Sequence, residues 1–573
     1  MQVALYYVLL ATGISLYLYI KIGPSYKSLS LCVLNIFFDI RFIIYLMKKY
    51  IVLALLSGLL LGLSWPTYGI ALLAFVGFVP LLLAEEKIRT SSARKKNGKV
   101  FITSYIAFLI WNSITTWWIW YSTPFGMLFA ILVNSLLMSF VFLLYHIIAK
   151  RLPAKIHLIF LAAIWMAFEK FHLNWDFSWP WLNLGNVFSE NISWIQWYEY
   201  TGAFGGSLWI WLVNIGVFKT LVRFKSDANT KLLGIGIGKN VLVIAIPIII
   251  SLWIFQSYEP AKESVQITLL QPNIDPYSQK YNIQNTQMVQ DFVALASNDI
   301  NEQTDYVIAP ETALSRSTPI KTFDMSPEKR LLQQFVSKYP DLYFITGVDF
   351  FQKYPSGEKP TLTANYYPQG WFDFYNAAVQ IDHSGKSQKY IKSKLVVGVE
   401  TFPFKNVLEP ILGNVMLDLG GTVAMRATQE ERSVFTNSTK NISVAPIICY
   451  ESIYGEFVTG YVKKGANFLA IITNDAWWSD TQGHKQHLSY ASLRAIETRK
   501  SVARSANTGI SAFINEKGEI IKQLGYNKKG TLTSKISVND KETFYVKYGD
   551  YIARISVLFT GLLFLFAIAK KKK

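Results

Sequence analysis

Cysteine is almost absent from this chain. Its 573 residues hold two: Cys32, inside an apolar stretch, and Cys449, in the least apolar part of the sequence. One cysteine in that part excludes an internal disulfide framework there. In an oxidising compartment a lone thiol calls for a reason, and composition by itself favours the plainest one, a buried inert side chain. Charge is scarce too. Asp, Glu, Lys and Arg make up 16% of the chain, against about 25% in soluble globular domains. Histidine is rare, and the less apolar part holds only His383, His484 and His487. The run His484-Lys485-Gln486-His487 lacks the spacing and further ligands of a zinc site. None of the three stands in a papain-like or caspase-like setting. There is no Gly-x-Ser-x-Gly elbow, phosphate loop or dinucleotide fingerprint. No metal and no organic cofactor is implied.

Acidic residues are outnumbered, 38 against 56 Lys and Arg, for a formal charge of +18. Nucleic-acid binding is the first reading of such a surplus, but the placement of the charges excludes it. They cluster in short loops between apolar runs: Lys87 to Lys99, Lys150 to Lys155, Lys219 to Lys239, and Lys570 to Lys573. The apolar runs themselves lie over 51–65, 70–84, 101–120, 127–149, 158–168, 208–218, 241–255 and 555–569. Tryptophans 117, 118, 120, 175, 179, 181, 194 and 197 stand near their ends, as in interfacial belts. Basic loops mark the cytoplasmic side of a membrane. With alternation, all four clusters fall inside and the chain from about Glu259 is delivered outside. Two further apolar stretches, 3–20 and 31–46, form an N-terminal extension, and Met47-Lys48-Lys49-Tyr50 has the look of a second translation start. The division expected is therefore 1–46 extension, 47–258 transmembrane domain, 259–545 extracytoplasmic domain, and 551–573 a last membrane helix with a basic tail.

The extracytoplasmic region alternates short strands and helices, the signature of an α/β domain. Strands are expected over 265–270, 306–309, 343–346, 377–381, 442–448, 468–473 and 511–514, and helices over 286–296, 327–337 and 484–504.

Cys449 ends the apolar run Val444-Ala445-Pro446-Ile447-Ile448 and precedes Tyr450-Glu451. At a strand-to-helix turn its side chain is expected to be exposed, among backbone N–H groups that lower a thiol pKa and can hold an oxyanion. The alternative is a buried cysteine at a strand end. A thiol needs a base, and with histidine set aside a carboxylate remains. Glu311 directly follows Tyr306-Val307-Ile308-Ala309-Pro310, at the carboxyl end of a strand, where open α/β sheets carry their chemistry. Its plain alternative is an acid at a helix start. Lys392, in Tyr390-Ile391-Lys392-Ser393-Lys394-Leu395, reads by itself as an exposed strand lysine.

Taken together, Glu after Pro after a strand, Lys-x-x-Leu, and Cys-Tyr-Glu at a strand end resemble the nitrilase superfamily. With the surrounding membrane segments, the chain from about Tyr50 onward resembles the membrane-embedded apolipoprotein N-acyltransferases. Further matches are Gln271-Pro272-Asn273-Ile274, Trp179-Pro180-Trp181-Leu182, Thr473-Asn474-Asp475-Ala476-Trp477-Trp478, and Arg504-Ser505-Ala506-Asn507-Thr508-Gly509-Ile510-Ser511. The resemblance implies a polytopic α-helical membrane domain plus an α/β nitrilase-like αββα sandwich. It implies Glu311 as general base, Lys392 for oxyanion stabilisation and Cys449 as nucleophile, supported by Glu400, the Tyr450 backbone and Glu451. It also implies a phosphatidylethanolamine-like acyl donor, diacylglyceryl apolipoproteins as acceptors, and a monomer in the inner membrane of a Gram-negative-type bacterium, its catalytic domain periplasmic. Tyr281, where the family often has tryptophan, is a substrate-contact candidate with Trp477 and Trp478. Tyr366-Tyr367 and Trp371-Phe372 are either acyl contacts, lids or core. One departure stands out: where the family reads Leu-Val-Pro-Phe-Gly-Glu, this chain reads Leu395-Val396-Val397-Gly398-Val399-Glu400. The rival readings are a membrane-tethered nitrilase-type amidase and a non-catalytic lipoprotein-binding scaffold.

Overall fold

The computed structural model describes residues 48–92, 94–404 and 425–570. The apolar stretches expected over 3–20 and 31–46, with Cys32, and the basic residues 571–573 lie outside the described residues. The chain opens on helices α1 (48–64), α2 (Val79–Thr90), α3 (Lys96–Thr116), α4 (Pro124–Ala149), α5 (His157–His172), α6 (Ala203–Asp227) and α7 (Thr230–Ser257), with short helical turns between them. Local chemistry sets the starts. Thr123 accepts the Gly126 amide at 3.1 Å ahead of α4, and Pro124 occupies the first turn, where its missing N–H is no loss. Asn229 caps α7 in the same way, through the Leu232 amide at 3.1 Å.

Among the described residues, five helical segments are long and apolar enough to cross a membrane: Lys96–Tyr121, Pro124–Ala149, Ala203–Asp227, Thr230–Ser257 and Tyr551–Ala569. The other three expected segments are shorter or broken. The one over 51–65 lies on α1 and the one over 158–168 on α5, while 70–84 divides into a 3-10 turn (Ala71–Leu73), a short helix (Ala74–Gly77) and the start of α2. Pro80 accounts for the break, because it fits only the first turn of a new helix. On α7, Ile235, Leu242, Ile249 and Trp253 point outward, uncovered. A stripe of that kind is a liability in water and at home against acyl chains. This is a membrane protein.

The remainder is a two-sheet sandwich. One sheet holds β1 (Ser264–Gln271), β2 (Tyr306–Ile308), β3 (Leu314–Pro319), β4 (Tyr343–Tyr354), β5 (Asn365–Tyr367), β6 (Gly370–Ile381), β7 (Ser387–Ile391) and β14 (Gly530–Ser537). The other runs β13 (Ile520–Leu524), β12 (Ser511–Ile514), β11 (Val502–Ala506), β10 (Phe468–Thr473), β9 (Ile442–Ile448) and β8 (Phe435–Asn437). Tyr306 and Ile308 face the second sheet, whereas Val307 faces Phe292 and Phe335 on the outer helices α8 (Asn285–Ala296) and α9 (Pro327–Val336). Both faces are covered, which is why β1, β2 and β9 read as near-continuous apolar runs.

On the second sheet's outer face lie α10 (Gly455–Val462) and α11 (Gln482–Thr498), and α11 joins the sandwich to the membrane helices. Gln486 Oε1 accepts the indole N–H of Trp118 at 3.2 Å and of Trp181 at 2.7 Å, and its Nε2 donates to Pro66 O at 2.7 Å. The final helix, α12 (Tyr551–Ala569), packs on α5.

Most expected elements fall where the pattern put them; β9, β10 and β12 match to the residue. One does not. The helix expected over 484–504 stops at Thr498, Arg499 turns left-handed at φ 50°, and Val502–Ala506 forms β11.

Candidate active site

Glu311, Lys392 and Cys449 each sit just past a strand end, after β2, β7 and β9, and the sandwich gathers them at one end of its core. Lys392 is buried and places its Nζ 3.0 Å from Glu311 Oε1 and 2.9 Å from Glu400 Oε2. Burial alone would pull this ammonium's pKa down, but the two carboxylates outweigh it and hold Lys392 above the ordinary lysine range. Glu400 is held below the ordinary carboxylate range: burial opposes its charge, and Lys392 and Arg426 more than offset that. With Val397-Gly398-Val399 in its loop, Glu400 reaches Lys392. Those residues form a tight turn, closed by Gly398 N donating to Thr401 O at 2.8 Å, with Gly398 at φ 81°; the Val396 amide then donates to Glu400 Oε2 at 2.9 Å.

Glu311 has further fixed partners. Asn376 on β6 donates from Nδ2 to Glu311 Oε1 at 2.8 Å and to Glu400 Oε1 at 3.0 Å. The Asn474 amide donates to Glu311 Oε2 at 3.2 Å. Its turn lies hard against Gly347, where an added Cβ would come within 2.3 Å of Thr312 N. Only glycine fits there.

Cys449 corrects one expectation: the residue is 7% exposed, not open to solvent. Burial, then the charge of Glu311, pushes the thiol pKa well above its ordinary value, with Lys392 acting the other way. The resting group is a thiol that needs a base. Its backbone is strained, with φ 50° in a region costly for a side-chain-bearing residue. The Cys449 carbonyl is pinned by Ser452 Oγ at 2.7 Å, and His487 Nε2 lies 3.2 Å from it.

Glu451 ties two arms of the site together. It accepts from the Ile448 amide at 2.9 Å on the cysteine strand and from the Ser393 amide at 2.7 Å beside Lys392. Tyr390 Oη at 2.6 Å, Tyr461 Oη at 3.3 Å and the Lys394 amide at 3.3 Å also donate to it. A helix-start charge effect needs none of this. Two motifs noted in the sequence meet behind Cys449: Arg504 Nη2 donates to Asp475 Oδ2 at 2.7 Å, and His487 adjoins both. Asn376 and this ion pair were missed by sequence reasoning, although a polar residue ahead of the apolar run Ala377-Ala378-Val379 was a usable signal for the first.

Two grooves lie near the site, and the first ends on the residue after Cys449. An apolar one of ≈ 1040 Å³ runs from Phe125, Phe129 and Val133 on α4, past Trp118 and the Val396–Val399 turn, to Tyr450 and Trp478. A more polar one of ≈ 800 Å³ is lined by Asp275, Tyr277, Trp477 and Thr508. The two candidate tryptophans therefore face different spaces. Trp478 stacks edge-on to Trp118, with ring centroids 5.0 Å apart. Tyr281 is half exposed on the loop after β1, in electrostatic range of Glu311 and Glu400. Tyr366 and Tyr367 are exposed and stack edge-on against Trp371 and Phe372, at the far end of the β4–β6 hairpin from Asn376. No cluster of three or more metal-ligating side chains occurs among the described residues.

The sandwich and the residues at its strand ends define the carbon–nitrogen hydrolase class, and the Carbon-nitrogen hydrolase family profile matches residues 266–544. The helices before it match the Apolipoprotein N-acyltransferase N-terminal domain over residues 57–216. The chain belongs to the apolipoprotein N-acyltransferase family. It is 28% identical to the Apolipoprotein N-acyltransferase of Chlorobaculum tepidum, over 92% of this chain and 98% of that one. It is 25% identical to that of Geobacter metallireducens, over 92% and 96%. Among solved structures, an amidase from Nesterenkonia sp. aligns at 15% identity over 52% of this chain and 97% of its own, with a TM-score of 0.34.

Proposed function

We propose that this enzyme transfers an acyl chain from a membrane phospholipid, through a Cys449 thioester, to the α-amino group of the N-terminal diacylglyceryl-cysteine of lipoproteins. The observation that carries this reading is the apolar groove, which leads from the α4 surface to Tyr450, the residue after the nucleophile. A small amide substrate has no use for such a path; an acyl chain does.

In the first half-reaction Glu311 takes the Cys449 proton as sulfur attacks the phospholipid ester carbonyl. Lys392 and the Tyr450 amide stabilise the tetrahedral oxyanion, and a single donor of this kind is worth ~2.7–4 kcal/mol. Collapse expels the lysophospholipid alkoxide, which takes the proton back from Glu311 and leaves the acyl group on sulfur. In the second, the lipoprotein amine attacks the thioester, Glu311 accepts its proton, and the proton passes to the departing Cys449 sulfur. The cycle is ping-pong, and Glu311 ends as it began.

The periplasmic orientation in an inner membrane is part of the same proposal. Contacts between the sandwich and the membrane region, such as Trp118–Trp478, Ser178–Tyr454, Ser189–Ser489 and Glu199–Arg499, lie away from the basic clusters. At the other end Lys150 donates to Asn97 at 2.9 Å, so two basic loops share one side. Basic loops mark the cytoplasmic side.

The test is peptide mass analysis after the detergent-purified protein meets phosphatidylethanolamine. A hydroxylamine-labile acyl adduct on Cys449, missing from Cys449→Ser and Glu311→Ala, supports the reading. A thiol that reacts with small electrophiles yet takes no acyl group overturns the donor and favours a tethered amidase. An inert thiol in folded protein favours a binding scaffold.

A further inference from the structure

Lys280 stands one residue before Tyr281 on the loop after β1, and it is 3% exposed. Its Nζ contacts the Thr312 hydroxyl and lies 3.5 Å from the Glu311 carbonyl oxygen. It forms no ion pair with any carboxylate among the described residues. A buried ammonium without a paired carboxylate is costly, and such groups cluster at functional sites. Its main chain is fixed as well: its N–H donates to Asp275 O at 2.9 Å, and its carbonyl accepts Ser315 Oγ at 2.6 Å.

What Lys280 touches is itself strained. Thr312 has φ 43°, an outlier for a β-branched residue, of the sort that costs ~1–3 kcal/mol and persists only where neighbours enforce it. Gly347 enforces it from one side, by having no side chain there. Lys280 closes the other. The charges around it come from every neighbouring element: Glu311 after β2, Asp349 on β4, Lys392 and Glu400 after β7, then Arg426 and the Cys449 thiol, with the Tyr281 phenol alongside. Three carboxylates thus face two cations, Lys392 and Arg426, and Lys280 is the third.

We propose that Lys280 is the positioning residue for Glu311: it locks the strained Glu311–Thr312 turn and balances the charge around the general base, coupling the Tyr281 loop to the alignment of that base. The proposal rests on Glu311 acting as the base. Separately, burial brings the ammonium down to about 8, against the pull of Glu311 and Asp349. Its charge is therefore present at neutral pH and lost as the pH rises through that value.

The experiment measures the first-order rate of Cys449 acylation against pH, in full-length protein with saturating phosphatidylethanolamine. Lys280→Met is expected to slow acylation on the order of ten- to a hundred-fold at neutral pH. The alkaline decline set by the Lys280 ammonium should vanish, while the donor concentration for half-saturation stays put. Lys280→Arg should restore the rate and carry the alkaline decline to higher pH. A folded Lys280→Met protein with the wild-type rate and pH profile overturns the proposal. Should Lys280→Met not fold, Thr312→Val removes only the hydroxyl contact, and an unchanged rate there overturns it equally. Glu311→Gln separates the two layers. If that variant still acylates, the base reading fails; if it is dead while Lys280→Met is silent, only the positioning proposal fails.

Discussion

Two walls flank the Cys449–Tyr450 turn, and they are built on opposite principles. On one side Glu311, Lys392, Glu400 and Asn376 form a charged cluster whose contacts lie between 2.8 and 3.0 Å. On the other, the α4 groove is wide and greasy and ends on Tyr450. The first wall specifies atoms, because a transition state is recognised by fixed dipoles. The second specifies only area, because an acyl chain offers nothing else to recognise. Damage to the first should therefore act on turnover, and damage to the second on affinity and chain-length preference.

The largest effect should come from breaking the charged wall. Lys392→Met leaves two buried carboxylates without their ammonium and, on the proposed mechanism, removes an oxyanion donor, so adduct formation should fall at least ~10²–10³-fold, measured as the single-turnover rate on Cys449. Glu451→Gln comes next. It strips charge from an acceptor shared by five donors, with an expected loss of ~1–3 kcal/mol in unfolding free energy and a lower single-turnover rate. That group also titrates: burial raises the Glu451 pKa from 4.5 to about 7, although its donors oppose the rise. The folded protein then binds this proton better than the unfolded chain does. The associated stability is complete below about 4.5 and lost as pH rises through about 7. Thermal unfolding from pH 5 to 8 should show Glu451→Gln flattening that slope.

A groove change should cost less and in a different parameter. Ala130→Trp, which narrows the apolar path, should raise KM for long-chain donors by about ten-fold, as one to two kcal/mol of apolar contact is lost, and leave kcat and short-chain donors nearly untouched. An equal loss of kcat for all chain lengths would erase the distinction between the walls. The smallest effect belongs to Lys464–Glu431, an exposed ion pair. Lys464→Gln should leave the midpoint of chemical denaturation unchanged.

Legibility in the sequence followed the same divide. Strand ends carrying Glu311 and Cys449 were readable because buried strands write continuous apolar runs, and β9 is bounded to the residue. The β4–β6 hairpin was underestimated because its outer half, Asp349–Tyr354 against Trp371–Asn376, mixes aromatics with charges and hides its period. Strand β11 was lost to a helix since Arg499 turns left-handed without glycine or proline to announce it. The burial of Cys449 and the part played by Asn376 and Lys280 come from two sheets closing on each other, and no local pattern records that. The Glu400 turn taught the reverse lesson: its sequence departs from the expected pattern, and the carboxylate still reaches Lys392.

The Gln486 bridge to Trp118, Trp181 and Pro66 has a consequence for the choice of client. Because it rivets the catalytic half to the membrane helices, Cys449, with the thioester proposed for it, would be held at one height relative to the bilayer. A soluble peptide amine drifts past at every height and rarely at that one. A cysteine already moored by two acyl tails rides at a constant level and is swept across the site by diffusion in a plane. Tethering then filters clients before any side chain is read, so lipoproteins of unrelated sequence can share one enzyme.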